Sequence, residues 1–151
     1  MTTDEFRLEF LTATERETSA EHFDAFAFGS DEKMANSLLR LVLGGKKTAT
    51  SSALPCYEVT GTPLPQPGSL SIITDWAGTP FCVIETVAVT HLRFNEMTFD
   101  ICRREGEDEC LNTWQEGHRA FFSEDGKQTG YEFTEDMPIV FEDFKVVYTR
   151  N

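Results

Sequence analysis

The chain has 151 residues, of which 40% are hydrophobic, enough for one domain with a real core. Its 13 Lys and Arg against 26 Asp and Glu leave a net charge of −13. That balance excludes the basic stripe with which proteins grip duplex phosphates, so no duplex DNA partner is expected. No apolar run reaches the length of about 18 residues that spans a membrane, and Met1-Thr2-Thr3-Asp4-Glu5 lacks the pattern of a signal peptide. A cytoplasmic protein with no membrane partner is expected.

Residues 4–28 carry Phe6, Leu8, Phe10, Phe23, Phe26 and Phe28, and read as a short first element followed by a helix. Thr18-Ser19-Ala20-Glu21 fits the cap of that helix as it enters Phe23. Ser30 is the expected cap of a second helix over 31–43, with Met34, Leu38, Leu41 and Val42 on one face. That helix delivers the chain to Gly44-Gly45, which can end it in a left-handed turn.

Lys46-Lys47-Thr48-Ala49-Thr50-Ser51-Ser52 comes next, two lysines against a run of small and hydroxyl side chains with no acidic residue beside them. In an extended strand Thr48, Thr50 and Ser52 share one face, and Lys47 does not, so a Lys47–Thr50 pair needs a turn or a bulge. The same residues also fit a helix C-cap followed by a polar edge strand with solvated lysines.

Leu54 to Gly68 holds four of the six prolines together with Gly61, and reads as loop. Residues 70–74 and 81–89 are β-rich runs joined by the hairpin segment Asp75-Trp76-Ala77-Gly78-Thr79-Pro80. Helical stretches follow over 96–104 and 109–122, broken at Glu105-Gly106-Glu107-Asp108. In the second, Leu111, Trp114, His118, Phe121 and Phe122 fall on one face. A lone histidine on such a face is more often a hydrogen-bonded core residue than a catalyst. Residues 126–130 read as a loop and 140–148 as a closing strand. The order of elements fits an α+β class with a mostly antiparallel, barrel-like sheet. Cys56, Cys82, Cys102 and Cys110 form no C-x-x-C pair, and the three histidines are far apart. No metal and no cofactor are therefore expected, and the cysteines read as small buried or half-buried thiols.

Gly45-Lys46-Lys47-Thr48-Ala49-Thr50 fits a G-x-K-x-x-T signature. Around it stand Ala25-Phe26-Ala27-Phe28-Gly29, Pro67-Gly68, Val83-Ile84-Glu85-Thr86, Glu105-Gly106-Glu107, Trp114 with His118 and Phe121-Phe122, and Met137-Pro138-Ile139-Val140. On these residues the chain resembles the longer type of the ASCH superfamily over roughly residues 22–149. The resemblance implies a single domain over 1–151 with a PUA-like fold, a small, mostly antiparallel β-barrel with flanking helices.

Small ASCH amidohydrolases remove the acetyl group from 4-N-acetylcytidine with a Lys, a Thr and a Glu. The resemblance carries the first two roles onto Lys47 and Thr50. The third falls on Glu105, at the interval those relatives show from their equivalent of Ile84-Glu85, with Glu85 as the competing carboxylate. Gly45, Ser52, Tyr57 and Phe28 are the candidate substrate-binding residues, and Ser52 stands where the short amidohydrolases have an Arg.

Chemically, a lysine in a buried setting can act as a base, a threonine hydroxyl as the acyl-accepting nucleophile, and a carboxylate as the group that orients the lysine or carries a proton. Exchange of Glu105 for Gln alters charge but little volume, and is expected to spare the fold. The implied partner is a modified nucleoside, in a small basic pocket on an acidic body. The second reading is an RNA-binding module or metal-independent ribonuclease, with a charged Lys47 on the phosphate of a short RNA and Tyr57 or Trp76 stacked on a base.

Overall fold

The computed structural model describes residues 1–15 and 23–150; the segment Thr18-Ser19-Ala20-Glu21, expected to cap a helix, lies outside them. In chain order the elements are α1 (Thr3–Ala13), β1 (Asp24–Phe26), α2 (Glu32–Leu43), β2 (Ala49–Ala53), α3 (Leu54–Thr60), β3 (Leu70–Thr74), β4 (Pro80–Arg93), α4 (Phe99–Cys102), α5 (Leu111–Thr129) and β5 (Pro138–Thr149). Single 3-10 turns stand at Phe94–Glu96 and Arg103–Glu105.

The strands form one sheet in the order β1-β3-β4-β5-β2. Only β1 and β3 are parallel, and the other pairs are antiparallel. The long central pair β4–β5 shifts register at Val83/Ile84 and again at Thr86/Ala88. Such bulges bend a strand and increase its twist, and here the sheet curls into a half-barrel. The expected α+β class with a curled, mostly antiparallel sheet is therefore present.

Helices cover the sheet with three apolar clusters. Phe6, Phe10 and Leu11 of α1 pack with Phe23, Ile72 and Val83. Leu39 and Val42 of α2 pack with Phe28, Ile73, Cys82, Ile84 and Phe144. Trp114 and Phe122 of α5 pack with Ala49, Ala53, Phe94, Ile139 and Phe141. Cys82 and Cys102 are buried, Cys56 is half-buried and Cys110 is exposed. Among the described residues no helix is long and apolar enough to cross a membrane.

Several local expectations are corrected. The segment entering from Phe23 is strand rather than helix, because Asp24, Ala25 and Phe26 pair with Ser71, Ile72 and Ile73. The cap of α2 is Asp31, whose Oδ1 accepts from the Met34 amide at 2.8 Å. Its buried face is Ala35, Leu39 and Val42; of the predicted stripe Val42 is buried, Leu38 is half-buried against the same cluster, and Met34 is partly exposed against Gly29.

Part of the proline-rich segment is helix α3: Pro55 sits in the first turn, where a missing N–H costs nothing, and Gly61 ends the helix at φ 68°. The expected helix over 96–104 is a chain of short turns. In contrast, α5 runs through the expected loop at 126–130 and stops at Gly130, with φ 111°.

Gly126 explains why α5 looked shorter in the sequence. It is a close-approach residue rather than a breaker, since a Cβ there would collide with the Tyr131 carbonyl. Gly126→Ala is therefore expected to lower Tm, although alanine gains about 1 kcal/mol over glycine in an open helix position. Gly117→Ala in the same helix, where a Cβ meets nothing within 4 Å, is expected to raise it. Thermal unfolding of the two variants checks the opposite signs.

Candidate functional site

The site begins at the end of α2. Gly45 takes φ 78°, and the amides of Lys46 and Lys47 both donate to the Leu41 carbonyl, at 2.9 and 3.0 Å. This tight turn sends Lys46 to solvent and Lys47 inward, where it is only 2% exposed. Lys47 Nζ donates to the Ala49 carbonyl at 2.8 Å and to Glu107 Oε2 at 2.6 Å, and stands 3.6 Å from Glu105 Oε1. The ring of Phe28 lies 5.3 Å away. Two acceptors thus take hydrogen bonds from the ammonium, and the Glu105 carboxylate adds its charge at 3.6 Å. Fully buried lysines are rare unless paired, and the reading of Lys47 as a solvated cap is overturned.

The two carboxylates reach Lys47 through a backbone contact. The Thr48 amide donates to the Arg104 carbonyl at 3.0 Å, which ties the Arg103–Glu105 turn to the chain around the lysine. Gly106 follows with φ 73°, and a Cβ there would collide with the Lys46 carbonyl. Glycine is what allows the two backbones to touch, and it brings both Glu105 and Glu107 within reach of Lys47 Nζ.

Glu105 is 1% exposed, and its two oxygens face four donors. Oε2 accepts from Ser51 Oγ at 2.8 Å and from Trp114 Nε1 at 2.7 Å. Oε1 faces Lys47 Nζ at 3.6 Å and His118 Nε2 at 3.5 Å. Burial by itself raises the carboxyl pKa, but the His118 contact, the Lys47 charge and the Trp114 indole outweigh it and bring the group down to about 2.

His118 stacks on Trp114 with ring centroids 4.2 Å apart, and its Nδ1 lies 2.9 Å from the Trp114 carbonyl. Donation from Nδ1 to that carbonyl turns Nε2 toward Glu105. Burial pulls the imidazolium down, yet the neighbouring Glu105 carboxylate and the Trp114 carbonyl push it up, for a net rise. His118 is thus hydrogen-bonded, as a core histidine would be, and it also lines a cavity.

That cavity, of about 210 Å³, is lined by Phe28, Lys47, Thr50, Ser51, Glu105 and His118 among others. Beside it opens a larger one of about 690 Å³, whose lining includes Phe28, Thr50, Ser52, Tyr57, Asp125 and Glu142. Thr50 and Phe28 border both. The β2 strand alternates, with Ala49, Ser51 and Ala53 buried and Thr50 and Ser52 half-buried. Lys47 and Thr50 reach the same cavity without a bulge in β2, because the turn lies before the strand.

Gly45 lines neither cavity; it follows Gly44, the C-cap of α2, and turns the chain with φ 78°. Glu85 lies on β4 opposite Leu70 and Lys145 and also lines neither. Ser51, Glu107 and Glu142 were not singled out from the sequence. Ser51 was within reach of a period-two count from Ala49, whereas Glu142 depends on strand register. Among the described residues no group of three or more His, Cys, Asp or Glu side chains is arranged to hold a metal ion.

Glu105→Gln is consequently no neutral exchange. It removes one partner of a buried ion pair, and a loss on the order of 3 kcal/mol is expected in denaturant unfolding. The pH dependence has a defined sign. With its pKa lowered from 4.5 to about 2, Glu105 contributes stability that is present above pH 4.5 and is lost as pH falls toward 2. With its pKa raised, His118 contributes stability that is present below 6.5 and is lost as pH rises through its folded value. The Tm gap between wild type and His118→Gln should therefore be widest below pH 6.5 and close on the alkaline side. A gap that widens with pH would contradict the His118–Glu105 pairing.

The ASCH domain family model matches residues 24–148. An ASCH domain from Lactobacillus crispatus JV V101 is 40% identical, with a TM-score of 0.86 over 96% of this chain and 93% of that one. A protein from Enterococcus faecalis V583 is 32% identical, with a TM-score of 0.86 over 95% and 86%. The ASCH protein of Zymomonas mobilis, 14% identical with a TM-score of 0.52 over 85% and 71%, shares the fold alone. No curated protein matches the chain. The extent of the family match and the two close structural relatives make this chain a member of the ASCH domain family.

Proposed function

We propose that the chain is an amidohydrolase that removes an acyl group from the exocyclic amine of cytosine nucleosides or nucleotides, converting 4-N-acylcytidine to cytidine. The observation that carries this reading is that Lys47, Thr50 and Glu105 line one small cavity. A larger cavity with the rings of Phe28 and Tyr57 and the Ser52 hydroxyl adjoins it and offers room for the rest of a nucleoside.

In this reading Thr50 Oγ attacks the acyl carbonyl and its proton passes to Lys47. For that, the lysine first lends a proton to Glu107, 2.6 Å away. The C–N bond breaks, the amine departs with a proton, and an acyl-Thr50 ester remains. Water then releases the carboxylic acid and restores the hydroxyl. Glu105, fixed by Ser51 and Trp114, holds the lysine in place rather than moving protons.

The RNA reading requires Lys47 to meet a phosphate. Here the ammonium is enclosed by acceptors, and a phosphate would have to displace a carboxylate from it.

Incubation with 4-N-acetylcytidine, followed by chromatography for cytidine, tests the proposal. Thr50→Ala is expected to cost on the order of a thousandfold or more in turnover, with Thr50→Ser keeping part of it. Lys46→Ala, on the exposed neighbour, should be close to neutral. Turnover that survives in Thr50→Ala would remove the nucleophile from the mechanism, and a wild-type protein inert to every acylcytidine would remove the function.

A further inference from the structure

We infer that Glu142, opposite Thr50 on the neighbouring strand, is the acid that gives the leaving amine its proton. The inference rests on the acyl-transfer reading above, in which an amide nitrogen cannot depart as an anion and some group must protonate it. Glu105 is unsuited to this. Its oxygens already face Ser51, Trp114, Lys47 and His118, so it is held as an anion with no proton to give.

Glu142 stands in the opposite situation. The β2–β5 register pairs it directly with Thr50. Residues opposite each other in an antiparallel pair project from the same face, with Cβ atoms about 4.5–5.5 Å apart. Both side chains line the larger cavity. Oε2 of Glu142 accepts from Thr86 Oγ1 at 2.6 Å. Among the described residues no donor reaches Oε1.

The surroundings of Glu142 favour a retained proton. The titratable groups that share the cavity are Asp24 from β1, Cys56 and Tyr57 from α3 and Asp125 from α5, all of them acids. Among the described residues no lysine or arginine lines that cavity. Burial therefore raises the carboxyl, and the Thr86 hydrogen bond offsets only part of the rise.

The proton balance closes over one cycle. During acylation the Thr50 proton goes to Lys47, and the Glu142 proton goes to the exocyclic nitrogen, which takes the C–N bonding pair and leaves as the amine. In deacylation a water attacks the ester and gives its proton to Glu142. Thr50 Oγ, taking back the C–O pair, recovers its proton from Lys47. Glu107 then hands back the proton it took from Lys47, and all three groups return to their starting states.

Glu142→Gln is close in shape and cannot donate a proton. It is tested in the full chain against 4-N-acetylcytidine, whose amine needs a proton, and p-nitrophenyl acetate, whose phenolate does not. Cytidine release should fall at least about a hundredfold, while the initial burst of nitrophenolate from acylation persists, which also shows that the variant is folded. Wild-type amide turnover should decline as pH rises through the Glu142 carboxyl, and Glu142→Asp should recover part of the activity.

Amide turnover within threefold of wild type in Glu142→Gln would overturn the inference and leave the amidohydrolase reading standing. Loss of burst and amide turnover together would assign Glu142 a purely structural role. A wild-type chain that neither deacylates the nucleoside nor gives a burst would overturn the amidohydrolase reading, and this inference with it.

Discussion

The buried ammonium of Lys47 is the constraint around which the site is built. Taking an ammonium out of water costs several kcal/mol even after relaxation, and only well-placed acceptors offset that cost. The chain supplies them from three directions: the Ala49 carbonyl from the start of β2, Glu107 beyond the Gly106 turn, and Glu105 just before it. Each provision needs something further. Glu105 stays in place because Trp114 and His118, one turn apart on α5, and Ser51 on β2 all point at its oxygens. The backbone crossing at Gly106 tolerates no side chain.

A pair of this kind is weak evidence for stability, because apolar residues of similar volume often serve a fold as well or better. Its position at the floor of a cavity is what makes it informative: ionisable groups with strongly perturbed surroundings concentrate where chemistry is done. The overall charge of −13 sharpens the point. In so acidic a chain a surface lysine would relieve self-repulsion, yet Lys47 is buried while Lys46 beside it faces solvent. Lys47 goes inward because a turn, a glycine and two carboxylates are arranged to receive it.

What the sequence revealed depends on how local each feature is. The Gly45 to Thr50 stretch was legible because the turn and the start of the strand are set by adjacent residues. Glu105 was reached only through a family interval, since its contacts with Lys47 and Ser51 join distant parts of the chain. The failures have the same cause. Gly126 looks like a breaker until Tyr131 is seen packed against it. Pro55 looks like loop until it falls in the first turn of α3. Glu142 looks like one more acid in an acidic segment, and only the register of β5 against β2 sets it across from Thr50.

Two glutamates flank β2 and are driven in opposite directions. Glu105 lies on the side of Ser51, where an indole, a hydroxyl, an imidazole and an ammonium converge on it and hold it ionised. Glu142 lies on the side of Thr50, where among the described residues one hydroxyl donates to it and the other titratable groups lining the cavity are acids, and burial there favours the neutral form. Divergent surroundings for two like side chains are how one fold keeps a fixed anion and a proton carrier on either side of one strand at one pH. The period of two along a strand is what permits it, since the adjacent residues Thr50 and Ser51 fall on opposite faces: Ser51 donates to Glu105, and Thr50 is paired in register with Glu142.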